Sequence, residues 1–466
     1  MSSPGFTPLV LALPSLTPSL AIETHDILIG PEKPEDFLSQ FHKYHNTIIG
    51  RYTNRVPVGE YEVERNGIKS RLVTLGNQED PKVSLHGGPK GFDDVDWEVV
   101  HPSQATLFSD EEKVSIGSIP ASVVFRHTSP DGDQGFPGTL LVETLVGLVN
   151  PSQVAIDNSK GDFQLGSILL IYRAKLLDEG KVTPVNITQH WGFNLEASLK
   201  SDESTLFVKD HKLHIKSDQH LELDSSALST GNLLSVQGTA HDHKSKRIGD
   251  QWPEGGYDEF YVFDKSAPSS VPKRIPLSEF PKTDLVQDII HPKSTESSPV
   301  VELSSDKSGL KLSFFTNQSG VQFYSGNFLG PGTSRKKIHG GSGEVGKGDG
   351  YNAGGMSPFC FLGSTFPLYC IGDFAHMFVS IEAAAFLEFH EPLATWLHPE
   401  TNPSGNDTLL ASGELYNNFV KLDVVYRNPV LSSVRMVWLV VASGDVAPSG
   451  NESFWKRYAS RSGRIV

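Results

Sequence analysis

Apolar and polar residues alternate along most of the chain, the period of a strand rather than of a helix. Ile168-Leu169-Leu170-Ile171-Tyr172-Arg173-Ala174-Lys175-Leu176 keeps one alternating face apolar while the other ends in charge. Lys212 to Asp224 sets Leu213, Ile215, Leu221 and Leu223 in step, and Val420, Leu422, Val424 and Tyr426 do the same near the end. Met436 to Val441 is apolar throughout. Turn residues separate such runs, at Asn66-Gly67, Pro130-Asp131-Gly132 and Asp306-Lys307-Ser308-Gly309. Only Pro34 to about Tyr44 predicts a helix, with proline near its first turn. Many strands and few short helices predict an all-β fold, a sandwich or a barrel. No repeat period or long linker divides the chain, so residues 1–466 are expected to form one domain.

Composition narrows the function classes. Hydrophobic residues make up 38% of the 466, enough for a large core and against global disorder. Asp and Glu outnumber Lys and Arg 55 to 40, and a net charge of −15 repels phosphate backbones, so no nucleic-acid partner is expected. The two cysteines, Cys360 and Cys370, cannot supply a disulfide framework or a Cys-rich zinc site, and they suit a reducing compartment. The N-terminal stretch MSSPGFTPLVLALPSLTPSLA has no Lys or Arg ahead of its apolar run, and Pro14 and Pro18 interrupt it. That makes a poor secretory signal, and a cytoplasmic location is expected over secretion. Sequons at Asn186, Asn317, Asn406 and Asn451 do not alter this, because the tripeptide arises often by chance.

Met356 to Ala385 departs from the texture of the rest. It holds both cysteines, two of the four methionines and only two charges, Asp373 and Glu382. A membrane span would need about 20 apolar residues, and Pro358, Pro367, Asp373 and His376 interrupt this one. No membrane partner is therefore expected. A buried strand pair is a second reading. A third is an insert foreign to the fold, since its removal joins GYNAGG smoothly to AAFLEFHEP. That reading predicts an exposed apolar loop.

Two motifs are tested and set aside. Gly341-Ser342-Gly343-Glu344-Val345-Gly346 fits G-x-G-x-x-G, and Gly341 to Lys347 fits most of a phosphate loop. Gly348 stands where Ser or Thr is required, and Gly348, Gly350, Gly354 and Gly355 forbid the helix whose N-terminus would hold the phosphate. A mobile loop is expected instead. His241-Asp242-His243 offers two histidines without a third ligand and reads as a solvated turn, so no metal is expected. Patterns for zinc proteolysis or a nucleophilic serine are absent from the sequence.

Polar residues beside apolar strands remain. Gly50-Arg51-Tyr52-Thr53-Asn54-Arg55 packs two guanidiniums and an amide together, Ser84-Leu85-His86-Gly87-Gly88 sets a histidine at a tight turn, and Thr188-Gln189-His190-Trp191-Gly192-Phe193-Asn194-Leu195 surrounds another with aromatics. Gly256-Tyr257-Asp258, Gln322-Phe323-Tyr324 and Phe386-Leu387-Glu388-Phe389 set carboxylates and an amide beside aromatics. Singly, each has a plainer reading: His190 a hydrogen-bonded core histidine, Arg51 and Arg55 partners of surface acids, Glu388 an outward strand residue. Together, planar polar groups and aromatic faces suit a sugar.

The ordered series GRYTNRV, SLHGGPKGFDDVDW, TPVNITQHWGFNL, GYDEFYVF, GVQFYSGNFL and FLEFHEP resembles the aldose 1-epimerases, the galactose mutarotases, with wording closest to fungal members. The resemblance runs from about Asp26 to Tyr426 and implies a large antiparallel β-sandwich of the mutarotase type, a supersandwich with few short helices. It implies a small-molecule aldose as partner, no cofactor, and a monomer or weak dimer. It puts Glu388 at the general base, His190 at the general acid and His86 at the second active-site histidine. Asn54, Arg55, Asp258 and Gln322 fall on sugar-binding positions. Three departures stand out: Gln189-His190-Trp191 where Asn-His-Ser is commoner, a segment of about 25 residues before Asp26 that reads as shortened, and the 356–385 insert just ahead of Glu388.

The implied reaction interconverts α and β anomers of free hexoses such as glucose and galactose by opening and closing the ring. An ionised Glu388 would take the C1 hydroxyl proton and a protonated His190 would supply one to the ring oxygen. Three alternatives stay open. A hexose-6-phosphate 1-epimerase would use Lys244-Ser245-Lys246-Arg247 for the phosphate. A catalytically impaired protein would bind sugar without turnover. A retaining glycosidase would pair Glu388 with Asp258.

Overall fold

The computed structural model describes residues 9–14, 22–38, 43–77, 80–151, 162–200, 203–265, 267–292, 298–327, 329, 332–351, 383–427 and 438–441. Among the described residues, alternation along the chain becomes two large antiparallel sheets beside five smaller ones of two or three strands. The larger has ten strands and is centred on Glu414–Arg427 and Asp162–Leu176, flanked by Leu310–Thr316 on one side and by Leu140–Val149 and Ala121–Ser129 on the other. The smaller has six, in the order Gly192–Phe193, Ala385–His390, Gly320–Tyr324, Asp258–Val262, Gln219–Leu223, Ser229–Ser235.

The main core lies between the sheets. Ile168, Leu170, Leu312, Phe314, Leu422 and Val424 come from the larger, and Val321, Phe323, Leu387 and Phe389 from the smaller. Phe314 stacks on Phe389 with ring centroids 5.1 Å apart, joining the two layers. Burying a side chain of this size is worth about 1.5–3 kcal/mol. The larger sheet is also covered outside. Leu169, Ile171 and Phe419 pack in a second cluster with Ile116 of the helix Asp110–Gly117 and with Leu285, Val286 and Ile289 of the helix Leu285–Ile290. Both faces of the 168–171 run are therefore apolar for a packing reason.

The three predicted turns are present. Asn66 and Gly67 both take positive φ and close the hairpin of Gly59–Arg65 with Ile68–Thr74. Gly132 and Gly309 take positive φ in theirs. Other expectations are corrected. Of the helix expected from Pro34 to about Tyr44, the described part Pro34–Leu38 is a 3-10 turn, and Tyr44 is left-handed at φ 69. Lys212 to Asp224 is two strands in different sheets, Lys212–Ile215 and Gln219–Leu223, because the chain crosses the sandwich between them. The glycine-rich stretch is a loop of turns and bends, in which Ser342 N–H donates to Asp349 Oδ2 at 2.6 Å. Lys337 N–H donates to Glu32 Oε2 at 2.8 Å.

In the N-terminal segment Leu9–Pro14 is a strand, paired with Ile22–Asp26 and Trp438–Val441. Most of the 356–385 segment, both cysteines included, lies outside the described residues. Its last residues belong to the fold: Ala383 and Ala384 are buried with Tyr351 and Phe386, and Ala385 pairs with Phe193. Among the described residues no helix is long and apolar enough to cross a membrane.

Candidate active site

The smaller sheet sets its site by register. Gln322 lies opposite Glu388, and Tyr324 opposite both Phe386 and Asp258. Side chains alternate, so Phe386, Glu388 and His390 share one face with Gln322 and Asp258, while Leu387 and Phe389 point into the core. Loops from elsewhere close over this outer face and deliver Asn54, Arg55, His86 and His190.

Each loop is held locally. His190 N–H donates to Thr47 O at 3.0 Å, and Asn46 N–H donates to His190 O at 2.9 Å. Asn54, left-handed at φ 65, donates its backbone N–H to His86 Nδ1 at 3.2 Å, and His86 N–H donates to Asn54 O at 3.1 Å. Gly87 is required beside it, because a Cβ there would stand 2.2 Å from Gly50 O. A further clamp comes from Asn186, which exchanges hydrogen bonds with the Glu391 backbone at 3.0 and 3.1 Å and so ties the 51–55 segment to the Glu388 strand.

All seven residues singled out by the sequence are brought together. Glu388 Oε1 is 3.4 Å from His190 Nε2, both side chains buried. The His86 and His190 rings meet edge to face at 5.4 Å. Arg55 Nη2 donates to Asp258 Oδ2 at 3.0 Å, and Gln322 Nε2 donates to Asp258 Oδ1 at 2.7 Å. Asn54 Oδ1 accepts from the Arg55 N–H at 2.8 Å. Glu388 Oε2, Gln322 Oε1 and His190 Nδ1 are buried with no protein hydrogen-bond partner, which leaves acceptors and a ring nitrogen for hydroxyl groups.

Electrostatics corrects the expected charge states. Burial pushes the Glu388 carboxyl well above the ordinary carboxylate range, Asp258 adds to this, and Arg55 opposes it. Burial pushes His190 down to about 4. Both directions favour the proton on Glu388 and a neutral imidazole, the reverse of an ionised base beside a protonated acid. His86 is also held neutral, chiefly by burial and then by His190. Because its Nδ1 accepts the Asn54 N–H, its proton sits on Nε2 and makes it a donor. His86, His190 and Glu388 bring candidate ligand atoms within 4.8 Å of one another. The His86 tautomer presents an N–H to that cluster rather than a lone pair, which fits a hydrogen-bonding role better than a metal ligand.

Several residues read otherwise than expected. Arg51 is buried and donates to the carbonyls of Pro137, Gly138, Ser129 and Pro130, so it braces the loop instead of meeting surface acids. His243 is buried against Tyr257, Tyr261 and Phe323, and the Tyr261 hydroxyl lies 3.0 Å from His241 Nδ1 and 3.2 Å from His243 Nε2, so His243 is a core residue and only His241 and Asp242 are partly exposed. Lys244 to Arg247 forms an edge strand of the larger sheet, where Lys244 pairs with Asp218 and Lys246 bonds Ala240 O. That cluster does not join the site. Sequence reasoning gave no role to His390, whose ring packs on Phe260 at 4.8 Å, or to Tyr44, which packs on His86 at 4.6 Å. Period 2 from Glu388 would have found the first; no local signal marks the second.

The fold is an antiparallel β-sandwich that gathers a buried carboxyl, two histidines and an Arg–Asp pair on the outer face of its smaller sheet. The sequence model of the family described as aldose 1-epimerase matches residues 13–347. The chain belongs to the aldose 1-epimerase family and is an isomerase. It is 28% identical over 318 residues to the aldose 1-epimerase of Escherichia coli, covering 66% of this chain and 71% of that one. It is 29% identical over 304 residues to the galactose mutarotase of Bos taurus, covering 65% and 68%. Among solved structures, a GalM/aldose epimerase homologue from C. elegans superposes with a TM-score of 0.56 at 19% identity over 90% of this chain and 93% of that one. The galactose 1-epimerase of Lactobacillus acidophilus gives 0.51 at 16% over 90% and 99%. These two likenesses bear on the fold. The matched family stretch ends ahead of Glu388, which joins the site through its pairing with Gln322.

Proposed function

We propose that the protein interconverts the α and β anomers of free aldohexoses such as glucose and galactose, with Glu388 and His190 as the acid–base pair. The observation that carries this reading is their 3.4 Å contact, buried beside a set of hydroxyl-binding groups.

Ring opening needs one group to take the C1 hydroxyl proton and another to give one to the ring oxygen. The C1–O bond to the ring then breaks, the aldehyde forms, and C1 turns before the ring closes with the roles exchanged. Two groups holding one proton between them are sufficient. The neutral pair and the pair of carboxylate with imidazolium differ only in where that proton sits. Burial favours the neutral form in the empty pocket, and sugar hydroxyls brought to Glu388 favour the charged one. Each group then serves as acid in one direction and base in the other, worth about 10²–10⁴-fold apiece. Arg55 and Asp258 would fix sugar hydroxyls by charge-assisted bonds, and Asn54, Gln322 and the His86 Nε2–H would bind others.

The test is polarimetry of freshly dissolved α-D-glucose and α-D-galactose. The protein is expected to speed the approach to equilibrium rotation. A rate equal to that of buffer, despite sugar binding, would contradict the reading.

A further inference from the structure

Tyr44 stands over the two histidines from a segment that no motif marks. Its ring centroid is 4.6 Å from that of His86 and 6.2 Å from that of His190. The residue is half-buried, and the Lys43 ammonium lies 4.8 Å over the ring. Its φ of 69 is a region that a bulky side chain rarely occupies, so the surroundings hold it there. The restraint is visible. Tyr44 O accepts from the Thr47 hydroxyl at 2.9 Å, and residues 46 and 47 are the two that bond the backbone of His190. One turn thus positions His190 and carries an aromatic ring to its flank.

We infer that Tyr44 is a substrate-contacting residue that selects for the exocyclic carbon of a hexopyranose. The inference rests on the proposed reading of the site. If His190 faces the ring oxygen, the next atom around the sugar is C5, which bears the hydroxymethyl group. That group then falls on the His190 and His86 side, where Tyr44 lies. The C1 hydroxyl and C2 fall toward Glu388 and the Arg55–Asp258 pair. An aromatic face suits the C–H surface of C5 and C6.

Pentopyranoses such as xylose lack C6, so the test compares D-galactose, D-glucose and D-xylose by polarimetry. Tyr44→Ala is expected to raise KM for the hexoses by about tenfold, the scale of one lost apolar contact. Its effect on xylose should be much smaller, and kcat little changed. Tyr44→Phe should retain the wild-type values. Tyr44→Trp, with a larger ring, should penalise the hexoses and spare xylose. Equal losses on hexose and pentose with falling kcat would overturn the inference and make the ring a support for His86. Unchanged constants in Tyr44→Ala and Tyr44→Trp would overturn it too. A wild-type protein that accelerates none of the three sugars would instead contradict the reading of the site.

Discussion

Glu388 Oε1 and His190 Nε2 face each other at 3.4 Å in a pocket whose burial disfavours the charge of each. Burial dominates both shifts, raising the carboxyl and lowering the imidazole. Their order inverts that of free side chains, and the pair holds a single proton between its two pKa values.

That range predicts the pH dependence of turnover. His190 gains a second proton only as pH falls to about 4. Glu388 surrenders the shared proton only above the ordinary carboxylate range. A plot of kcat/KM against pH is expected to be bell-shaped, its acid limb near 4 and its alkaline limb set by Glu388. An acid limb at the ordinary histidine value of 6.5 would show that burial does not govern His190.

Stability should respond to the same carboxyl. Its folded pKa lies above the unfolded value of 4.5, so its contribution is present below 4.5 and lost as pH rises toward the folded value. Glu388→Gln removes that loss. The variant is expected to melt higher than wild type above pH 4.5, by a margin that grows as pH rises toward the folded value in thermal unfolding. A lower melting temperature across that range would argue against the burial cost.

Asp258 joins Arg55 and Gln322 into one hydrogen-bonded set. Asp258→Asn should weaken charge-assisted bonds worth about 1.5–3 kcal/mol each, which corresponds to a KM about 10–100-fold higher. Steady-state polarimetry reads this directly, and an unchanged KM would remove Asp258 from the sugar contacts.

Asn186 is buried, and both ends of its amide bond the Glu391 backbone. Asn186→Ala orphans the buried Glu391 N–H and leaves its C=O only the bond to His390 Nδ1. A loss of about 1–3 kcal/mol is expected in urea unfolding. Burial also makes this sequon an unsuitable glycosylation site in the folded protein.

How much of this was legible in the chain depends on distance. The Asn66-Gly67 hairpin is local chemistry, and two residues specify it. The split of Lys212 to Asp224 is not, because nothing in the alternation says that the chain changes sheets at residues 216–218. The seven residues that the structure gathers were legible from motifs, yet the directions of their pKa shifts were not. The shift on Glu388 comes from burial by whole sheets and from Asp258, 130 positions away. Tyr44 was invisible for the same reason, since His86 and His190 reach it only through folding.

The most direct measurement is the anomer-exchange rate of Glu388→Gln beside its sugar affinity by titration calorimetry. The amide keeps the shape of the pocket and cannot trade a proton with His190. Turnover is expected to fall by about 10²–10⁴-fold with the dissociation constant for galactose nearly unchanged. A variant that equilibrates the anomers as fast as wild type would contradict the account.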